Sequence, residues 1–147
     1  MIRVIIADDF SAMERVMRKM IETAEDMELV GVAPRFETAL ALVKEEPHDV
    51  IILNDYLPPM RSPDAIRRLR AEGIESAIIV VSMHDDANLA HQALEEGASG
   101  YVLKPNFLDE FLDAIRHASR GQKFSSPALV AKLKDLLGGA ADDLLGS

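Results

Sequence analysis

Five short apolar segments along the chain have the size and composition of buried β-strands. They are residues 3–7, 28–33, 49–53, 77–82 and 100–103. Most of them hardly alternate between apolar and polar positions, which indicates strands that are covered on both faces. Segments with helical spacing separate them, so the chain is predicted to form five βα units around a parallel sheet.

Helix boundaries are visible at several points between these strands. Ser11 and Glu14 match the S-x-x-E capping box at the start of the first helix. Apolar residues then follow at helical spacing: Met13, Val16, Met17, Met20, Ile21 and Ala24. Pro63 is expected in the first turn of the third helix, and Asp85 or Asp86 is expected to cap the fourth.

The pattern changes after Gly121. A further segment with helical spacing covers residues 127–137 and is followed by a weakly patterned tail. We therefore predict a domain over residues 1–121 and a linker-like helix and tail over residues 122–147. The apolar stripe of this helix is expected to pack on the domain, on a second copy or on an output domain; it consists of Leu129, Val130, Leu133, Leu136 and Leu137.

Charge and composition exclude several classes of function. The 147 residues include 25 acidic and 16 basic side chains, for a net charge of -9, so the chain lacks the basic surface that nucleic acid or an anionic membrane requires. Cysteine is absent, which excludes disulfides, thiol catalysis and thiolate metal sites. The four histidines, at positions 48, 84, 91 and 117, are too scattered for a zinc site.

The hydropathy pattern argues against membrane insertion and export. The longest apolar run covers residues 77–83, far fewer than the roughly 20 residues that span a bilayer. The N-terminus becomes acidic too early for a signal peptide. We therefore expect a cytoplasmic protein with no nucleic-acid or membrane contact through this chain.

Candidate chemistry lies at the ends of the predicted strands. Ligands of open parallel sheets bind beyond the carboxyl ends of the strands, and the polar residues there are Asp8, Asp9, Asn54, Asp55, Ser82 and Lys104. Neighbouring carboxylates hold a hard divalent cation well, with Mg²⁺ as the abundant candidate. The segment ADDFSA after the first strand lacks the glycines of a dinucleotide cradle.

Lys104 and Ser82 suit a phosphoryl group that is bound beside such a metal. A lysine can pair with a phosphoryl oxygen, and a serine hydroxyl can donate to the same group. Each also has a simpler structural interpretation. Lys104 would then form a salt bridge to Asp8 or Asp9, and Ser82 would cap the fourth helix.

Together, these strand-end residues resemble the receiver domain of two-component response regulators, over residues 1 to about 121. The resemblance implies a flavodoxin-like (βα)5 fold, a doubly wound parallel sheet with strand order 2-1-3-4-5, here with an extra C-terminal helix. It also implies site roles: Mg²⁺ binding by Asp8, Asp9, Asn54 and the backbone carbonyl of Tyr56, phosphoryl contacts by Ser82 and Lys104, and a switch formed by Ser82 and Tyr101.

The chain departs from this family at residue 54. Asn54 stands where the resemblance expects the phosphoacceptor aspartate, between Asp49 and Pro58. A carboxamide lacks the nucleophilic oxyanion that forms an acyl phosphate, so family-type phosphorylation should be absent. Loss of a carboxylate should also weaken Mg²⁺ binding, although the Asn54 carbonyl is still able to ligate.

Two local backbone features affect this site. Asp55 is an alternative acceptor, but successive side chains of a strand point to opposite faces, so it is expected to face away if Asn54 faces the metal. A bulge at the strand end would change that expectation. The resemblance also makes the Lys104–Pro105 bond a candidate cis peptide.

The resemblance implies partners as well. A sensor histidine kinase would supply the signal, and the output surface would be the fourth helix, the fifth strand and the fifth helix. His91, Gln92 and Asn106 would be contact residues there, or simply part of a solvated face. Residues 121–137 resemble the linker helix before LuxR-type helix-turn-helix domains. This suggests a transcription regulator, and a homodimer through this helix or the output surface.

Three functions are compatible with these residues. One is the receiver domain of a transcription regulator, with its acceptor replaced by Asn54. Another is a stand-alone pseudo-receiver that acts through protein contacts without phosphorylation. The third is a metal-dependent phosphatase with Asp8 as nucleophile, for which a second spaced acid and a substrate loop are missing. We therefore predict a signalling module and no enzyme.

Overall fold

The computed structural model describes residues 1–9, 11–104 and 107–146. The strands are β1 (Ile2–Ala7), β2 (Met27–Ala33), β3 (Val50–Asn54), β4 (Tyr56–Leu57), β5 (Met60–Arg61), β6 (Ala77–Ser82), β7 (Gly100–Leu103) and β8 (Phe124–Ser125). The α-helices are α1 (Ser11–Thr23), α2 (Phe36–Glu45), α3 (Ser62–Ala71), α4 (Ala87–Glu95), α5 (Phe107–Ser119), α6 (Pro127–Leu137) and α7 (Ala141–Leu145). Within this described part, no helix is long and apolar enough to cross a bilayer.

Six of the strands form one parallel sheet in the order β2-β1-β3-β6-β7-β8. The five predicted strands correspond to β1, β2, β3, β6 and β7 and lie in the predicted order, so the flavodoxin-like fold is confirmed. The sequence prediction lacks β8 and the small antiparallel β4–β5 pair. Strands of two residues are too short to show a hydropathy period.

Two apolar clusters cover the two faces of the sheet. Helices α1 and α5 pack on one face with Val50 and Ile52 of β3. Helices α2, α3 and α4 pack on the other face with Ile51 and Leu53. Every residue of β3 is buried, as its unbroken apolar run predicts. Because both faces are covered, the carboxyl ends of the strands are where polar side chains can meet a ligand.

The segment after α5 packs on the same face as α4. Leu129 and Leu133 of α6 and Ala141 of α7 are fully buried in that cluster. Leu136, from the same predicted stripe, is 47% exposed. The apolar stripe of this helix was predicted to pack on the domain, on a second copy or on an output domain. In this structure it packs on the domain.

The helix boundaries follow the sequence signals where these are described. The side chain of Asp86 caps α4, because it accepts from the backbone N–H groups of Asn88 and Leu89 at 2.9 and 3.2 Å. Helix α3 starts with a proline in its first turn, as predicted. The side chain of Ser11, and with it the capping box, lies outside the described residues. The Lys104–Pro105 bond also lies outside them; a cis bond joins Pro58 and Pro59.

Candidate functional site

The strand-end residues predicted from the sequence lie at one edge of the sheet. An open cavity of about 320 Å³ there is lined by Asp9, Asn54, Asp55, Met83, His84 and Lys104. Asp8, at the end of β1, is buried with 2% exposure, and Asn54 is 7% exposed. Asp9 is exposed, so the acid pair presents one buried and one solvated carboxylate. The topology therefore brings the predicted groups to the same place.

Asn54 joins the acidic and basic parts of the site. Its Nδ2 donates to Asp8 Oδ1 at 3.4 Å, and its Oδ1 accepts from Lys104 Nζ at 3.3 Å. An aspartate at this position would have no N–H group for Asp8, and the two carboxylates would repel each other. The carboxamide therefore avoids this repulsion and bridges Asp8 and Lys104.

The backbone after Asn54 is also held in place. The N–H of Asp55 donates to Asn54 Oδ1 at 3.0 Å and to the carbonyl oxygen of Val81 at 3.1 Å. The second of these bonds belongs to the last pair of the β3–β6 ladder, Asn54 opposite Val81. The turn that presents Asp55 is therefore anchored to the central sheet.

Asp55 does not face away from the site, and the expectation based on strand alternation is wrong. β3 ends at Asn54, and Asp55 lies in a bend where the alternation of strand side chains no longer applies. Its Oδ2 accepts a hydrogen bond from Ser82 Oγ at 2.6 Å. Asp55 also lines the same cavity as Asn54 and Lys104. The site thus has a carboxylate beside residue 54 rather than at it.

Ser82 is fully buried at the end of β6. Besides its bond to Asp55, its Oγ accepts from the N–H of His84 at 3.0 Å and lies 3.2 Å from the carbonyl oxygen of that residue. The single hydroxyl proton is best used in the short bond to the charged carboxylate. The cap of α4 is Asp86, so Ser82 does not have the helix-capping role of its simpler interpretation.

Tyr101 lies inside the core on β7, with no exposed surface. Among the described residues, its hydroxyl has no hydrogen-bond partner of suitable geometry. Burial raises the pKa of Tyr101 to about 12, while the nearby Ser82 hydroxyl acts in the opposite direction. Tyr101 and Ser82 are therefore neighbours, and the tyrosine stays uncharged at neutral pH.

The acidic side chains at this edge of the sheet supply few ligands for a metal ion by themselves. Within the described part of the chain, no group of three histidine or acidic side chains is arranged to hold a metal ion. Asn54 presents its nitrogen to Asp8 and its oxygen to Lys104, so its amide would have to rotate to offer an oxygen to a cation at Asp8. A backbone carbonyl, such as that of Tyr56, would be needed as well.

Sequence reasoning missed two residues at this cavity. Met83 is 60% exposed and lines it together with His84. Their position directly after Ser82, at a strand end, was the available signal. Met83 adds an apolar side chain to an otherwise polar rim.

A sequence profile of the response regulator receiver domain matches residues 4–116. The chain belongs to this family. The fold, with its sheet order, agrees with a receiver domain. Receiver domains typically bind Mg²⁺, and Asp8 and Asp9 are the carboxylates at the strand-one end of this one.

Similar proteins carry the names of transcriptional regulators. The uncharacterized transcriptional regulatory protein YvfU of Bacillus subtilis is 32% identical over 130 residues, which cover 88% of this chain and 64% of the relative. The nitrate/nitrite response regulator protein NarP of Escherichia coli is 30% identical over 133 residues, which cover 90% of this chain and 62% of the relative. This receiver domain therefore spans less than two thirds of the length of these relatives.

Solved structures give the same result for the fold. A two-component response regulator of the LuxR family from Aurantimonas superposes with a TM-score of 0.86 at 27% identity, covering 91% of this chain and 96% of that one. The isolated receiver domain of RcsB from Salmonella enterica superposes with a TM-score of 0.83 over 92% of this chain and 99% of that one. At 22% identity, RcsB supports the fold alone.

Proposed function

We propose that this receiver domain serves a transcription-regulating response regulator of the LuxR/NarL type and takes no phosphoryl group at residue 54. The observation that carries the proposal is the Asn54 amide, which donates to Asp8 and accepts from Lys104. A neutral amide has no oxyanion to attack phosphorus. The names of the relatives support the regulatory role.

The Asp55–Ser82 hydrogen bond supports a state that does not depend on phosphorylation. The family resemblance implies that the Ser82 hydroxyl contacts a phosphoryl group. In this structure the hydroxyl donates to the permanent carboxylate of Asp55 at 2.6 Å. A fixed anion can hold Ser82 beside Tyr101 without any transfer step. This bond favours the second candidate, a pseudo-receiver that acts through protein contacts rather than as an enzyme.

A divalent cation would be held by Asp8 and Asp9, with the backbone carbonyl of Tyr56 and a rotated Asn54 amide completing the oxygen ligands. When bound, Mg²⁺ would neutralise the charge of the two carboxylates. Lys104 already places a positive charge at Asn54. Because residue 54 carries no charge, we expect the affinity for Mg²⁺ to be lower than with an aspartate there.

The partners we propose are a sensor histidine kinase or another signalling protein, in the cytoplasm where transcriptional regulators act. A homodimer could use α4, β7, α5 or α6. On α4, His91 pairs with Glu95 at 2.9 Å and Gln92 is exposed. Asn106, the third predicted contact residue, lies outside the described residues. The acidic net charge speaks against DNA contact through this chain itself.

The test is intact mass spectrometry after incubation with Mg²⁺ and acetyl phosphate, with the Asn54→Asp variant beside it. We expect no phosphoryl adduct on this chain and an adduct on the variant. Peptide mapping would assign any adduct to residue 54 or 55. An adduct on this chain overturns the proposal. Absence of an adduct on both chains favours the pseudo-receiver, in which more of the site than residue 54 has lost its function.

A further inference from the structure

A second pair of chemically competent side chains lies at the opposite edge of the sheet from the strand-end cavity. His48 comes two residues before β3, and Ser76 comes directly before β6. β3 and β6 are parallel neighbours, with Val50 opposite Ala77, so the residues that precede them meet at the amino ends of the two strands. The proposed function uses neither His48 nor Ser76.

His48 is held in the tautomer that a base requires. Its Nδ1 lies 2.8 Å from the carbonyl oxygen of Glu46, and a carbonyl oxygen only accepts, so this ring nitrogen carries the proton. In the neutral ring, Nε2 therefore has the free electron pair. Ser76 Oγ donates to Nε2 at 2.7 Å. A nucleophile, a base and a group that orients the base are thus arranged in series, as in an activated serine.

Independent hydrogen bonds fix the backbone on both sides of this pair. On the histidine side, the N–H of Arg3 donates to Asp49 Oδ2 at 2.8 Å, and the N–H of Asp49 donates to the carbonyl oxygen of Arg3 at 2.8 Å. On the serine side, one nitrogen of the Arg70 guanidinium donates to the carbonyl oxygens of Ile74 and Ser76, at 2.9 and 2.8 Å. The two reacting groups are therefore held in place before a reagent arrives.

The charges around Ser76 favour a negative oxygen there. Besides its bonds to Ile74 and Ser76, the Arg70 guanidinium donates to the carbonyl oxygen of Gly97 at 2.8 Å. These acceptors are neutral, so the bonds leave the positive charge of Arg70 in place beside the serine. Glu75 is exposed, and water screens its negative charge. A fixed cation stabilises the charge that develops on oxygen during nucleophilic attack.

Other serines use their hydroxyls differently. Ser82 and Ser126 are fully buried and donate to carboxylates. Ser119 is exposed and donates to a backbone carbonyl oxygen at 2.8 Å, which is a poor base. Ser76 and His48 are both partly exposed. A small reagent can therefore reach a hydroxyl that is already bonded to an imidazole.

We propose that Ser76 and His48 form a nucleophilic pair through which this protein is acylated by small activated acyl donors, the class that includes aryl esters and acyl phosphates. Ser76 Oγ attacks the carbonyl carbon of the donor while His48 Nε2 takes the hydroxyl proton. The bond from that carbon to the leaving oxygen breaks, and the phenolate or phosphate departs with the electron pair. His48 then gives the proton to the leaving group or to water. The product is an acyl ester at Ser76.

The experiment measures acetylation of the full chain by p-nitrophenyl acetate and, separately, by acetyl phosphate. Peptide mapping assigns the acetyl groups, and hydroxylamine removes them from a serine ester but not from a lysine amide. We expect a hydroxylamine-sensitive acetyl group on Ser76. His48→Gln keeps a polar side chain but no base, and it should slow this acetylation about 100-fold, the lower end of what a positioned general base contributes. Ser119→Ala, the matched control, should leave the rate at Ser76 unchanged.

Every outcome decides the proposal. Labelling of Ser76 by both reagents supports it for acyl donors in general, and labelling by p-nitrophenyl acetate alone supports it for aryl esters. Absence of an acetyl group on Ser76 with both reagents overturns it, as does an equal rate in His48→Gln. If thermal unfolding shows that His48→Gln is not folded, the unaltered chain decides, because equal rates at Ser76 and Ser119 overturn the proposal. Acetyl and phosphoryl groups differ in mass, so this result is independent of the test at residue 54.

Discussion

Asp55 Oδ2 and Ser82 Oγ are 2.6 Å apart, the distance of a strong hydrogen bond from a hydroxyl to a carboxylate. The two residues lie 27 positions apart in the sequence and meet because β3 and β6 are neighbours in the sheet. The bond gives the buried hydroxyl of Ser82 a carboxylate acceptor directly beside Asn54.

Asp55→Ala should destabilise the domain, because the buried Ser82 hydroxyl loses its charged partner. A hydrogen bond to a charged group contributes about 1.5–3 kcal/mol, and we expect a loss of about that size in the free energy of unfolding. Urea unfolding measures it. The control is Asp64→Ala, which removes an exposed ion pair with Arg67 and should change stability by less than about 1 kcal/mol. Equal effects of the two substitutions would mean that the Asp55–Ser82 bond contributes no special stability.

Tyr101 should make stability fall at high pH. Its folded pKa, about 12, is above the ordinary value of 10.0. A group whose pKa is raised on folding adds stability below its unfolded pKa and loses it as the pH rises through the folded value. The urea midpoint should therefore fall between pH 10.0 and about 12. Tyr101→Phe should flatten this fall, whereas Tyr56→Phe, at an exposed position, should leave it in place.

Tyr101→Phe also tests the hydroxyl at neutral pH. Because this buried hydroxyl has no partner of suitable geometry among the described residues, its removal should leave stability unchanged or raise it. Thermal unfolding is sufficient to measure the difference. A loss of about 1 kcal/mol or more would show instead that Tyr101 donates a hydrogen bond to Ser82 in solution.

Asn54→Asp should bind Mg²⁺ more tightly and be less stable without it. The variant puts a carboxylate next to Asp8, which the Asn54 amide now contacts at 3.4 Å. Repulsion between the carboxylates lowers stability in the metal-free state, and a cation relieves it. Calorimetric titration and melting curves with and without Mg²⁺ measure both effects. Equal or weaker Mg²⁺ binding by the variant would contradict the prediction.

Gly100→Ala should displace β8 from the sheet. The new methyl group would lie 2.0 Å from the carbonyl oxygen of Phe124, and a backbone atom cannot move aside cheaply. We expect a loss of about 1–3 kcal/mol, as for other overpacked sites. Gly139→Ala is the control, since a Cβ there meets open space. If both variants unfold at the same urea concentration, the close approach of β8 is not maintained in solution.

Leu133→Ala should show whether α6 belongs to the folded unit. Leu133 is fully buried, and truncation of such a leucine removes about 2–5 kcal/mol. Leu136→Ala, at a position that is 47% exposed, should remove less than about 1 kcal/mol. A single cooperative transition that shifts in Leu133→Ala places residues 122–146 within the domain. If the unfolding transition of Leu133→Ala does not shift, the domain ends at residue 121, as the sequence suggests.

The main strands and their order follow from the sequence because burial on both faces leaves a simple signal. Residues 50–53 are apolar without alternation, and β3 is a fully buried strand in the interior of the sheet. Once the strands are known, the meeting of Asp8, Asn54, Ser82 and Lys104 at one edge follows from the topology. β8 could not be predicted from the sequence, because its two residues pair with β7 only after α5 has brought the chain back to the sheet.

The errors have local physical causes. Strand alternation gives the direction of Asn54, but it stops where the strand stops, and Asp55 lies one residue beyond that point. The stripe on α6 indicates an apolar face but not its partner, because a helical period carries no information about what covers it. Side-chain hydrogen bonds such as Asp55–Ser82 need coordinates, since loop geometry rather than sequence spacing decides them.

The backbone bonds of Asp55 also bear on the chemical durability of Asn54. Spontaneous deamidation of an asparagine begins when the nitrogen of the next residue attacks its side-chain carbonyl carbon. Here that nitrogen belongs to Asp55, and its N–H is engaged by Val81 and by the Asn54 oxygen itself. Ring closure requires this nitrogen to lose its proton, and that loss would break the hydrogen bond to Val81 that ties Asp55 to β6. The bond to Val81 should therefore slow the conversion of residue 54 into an aspartate as the folded protein ages.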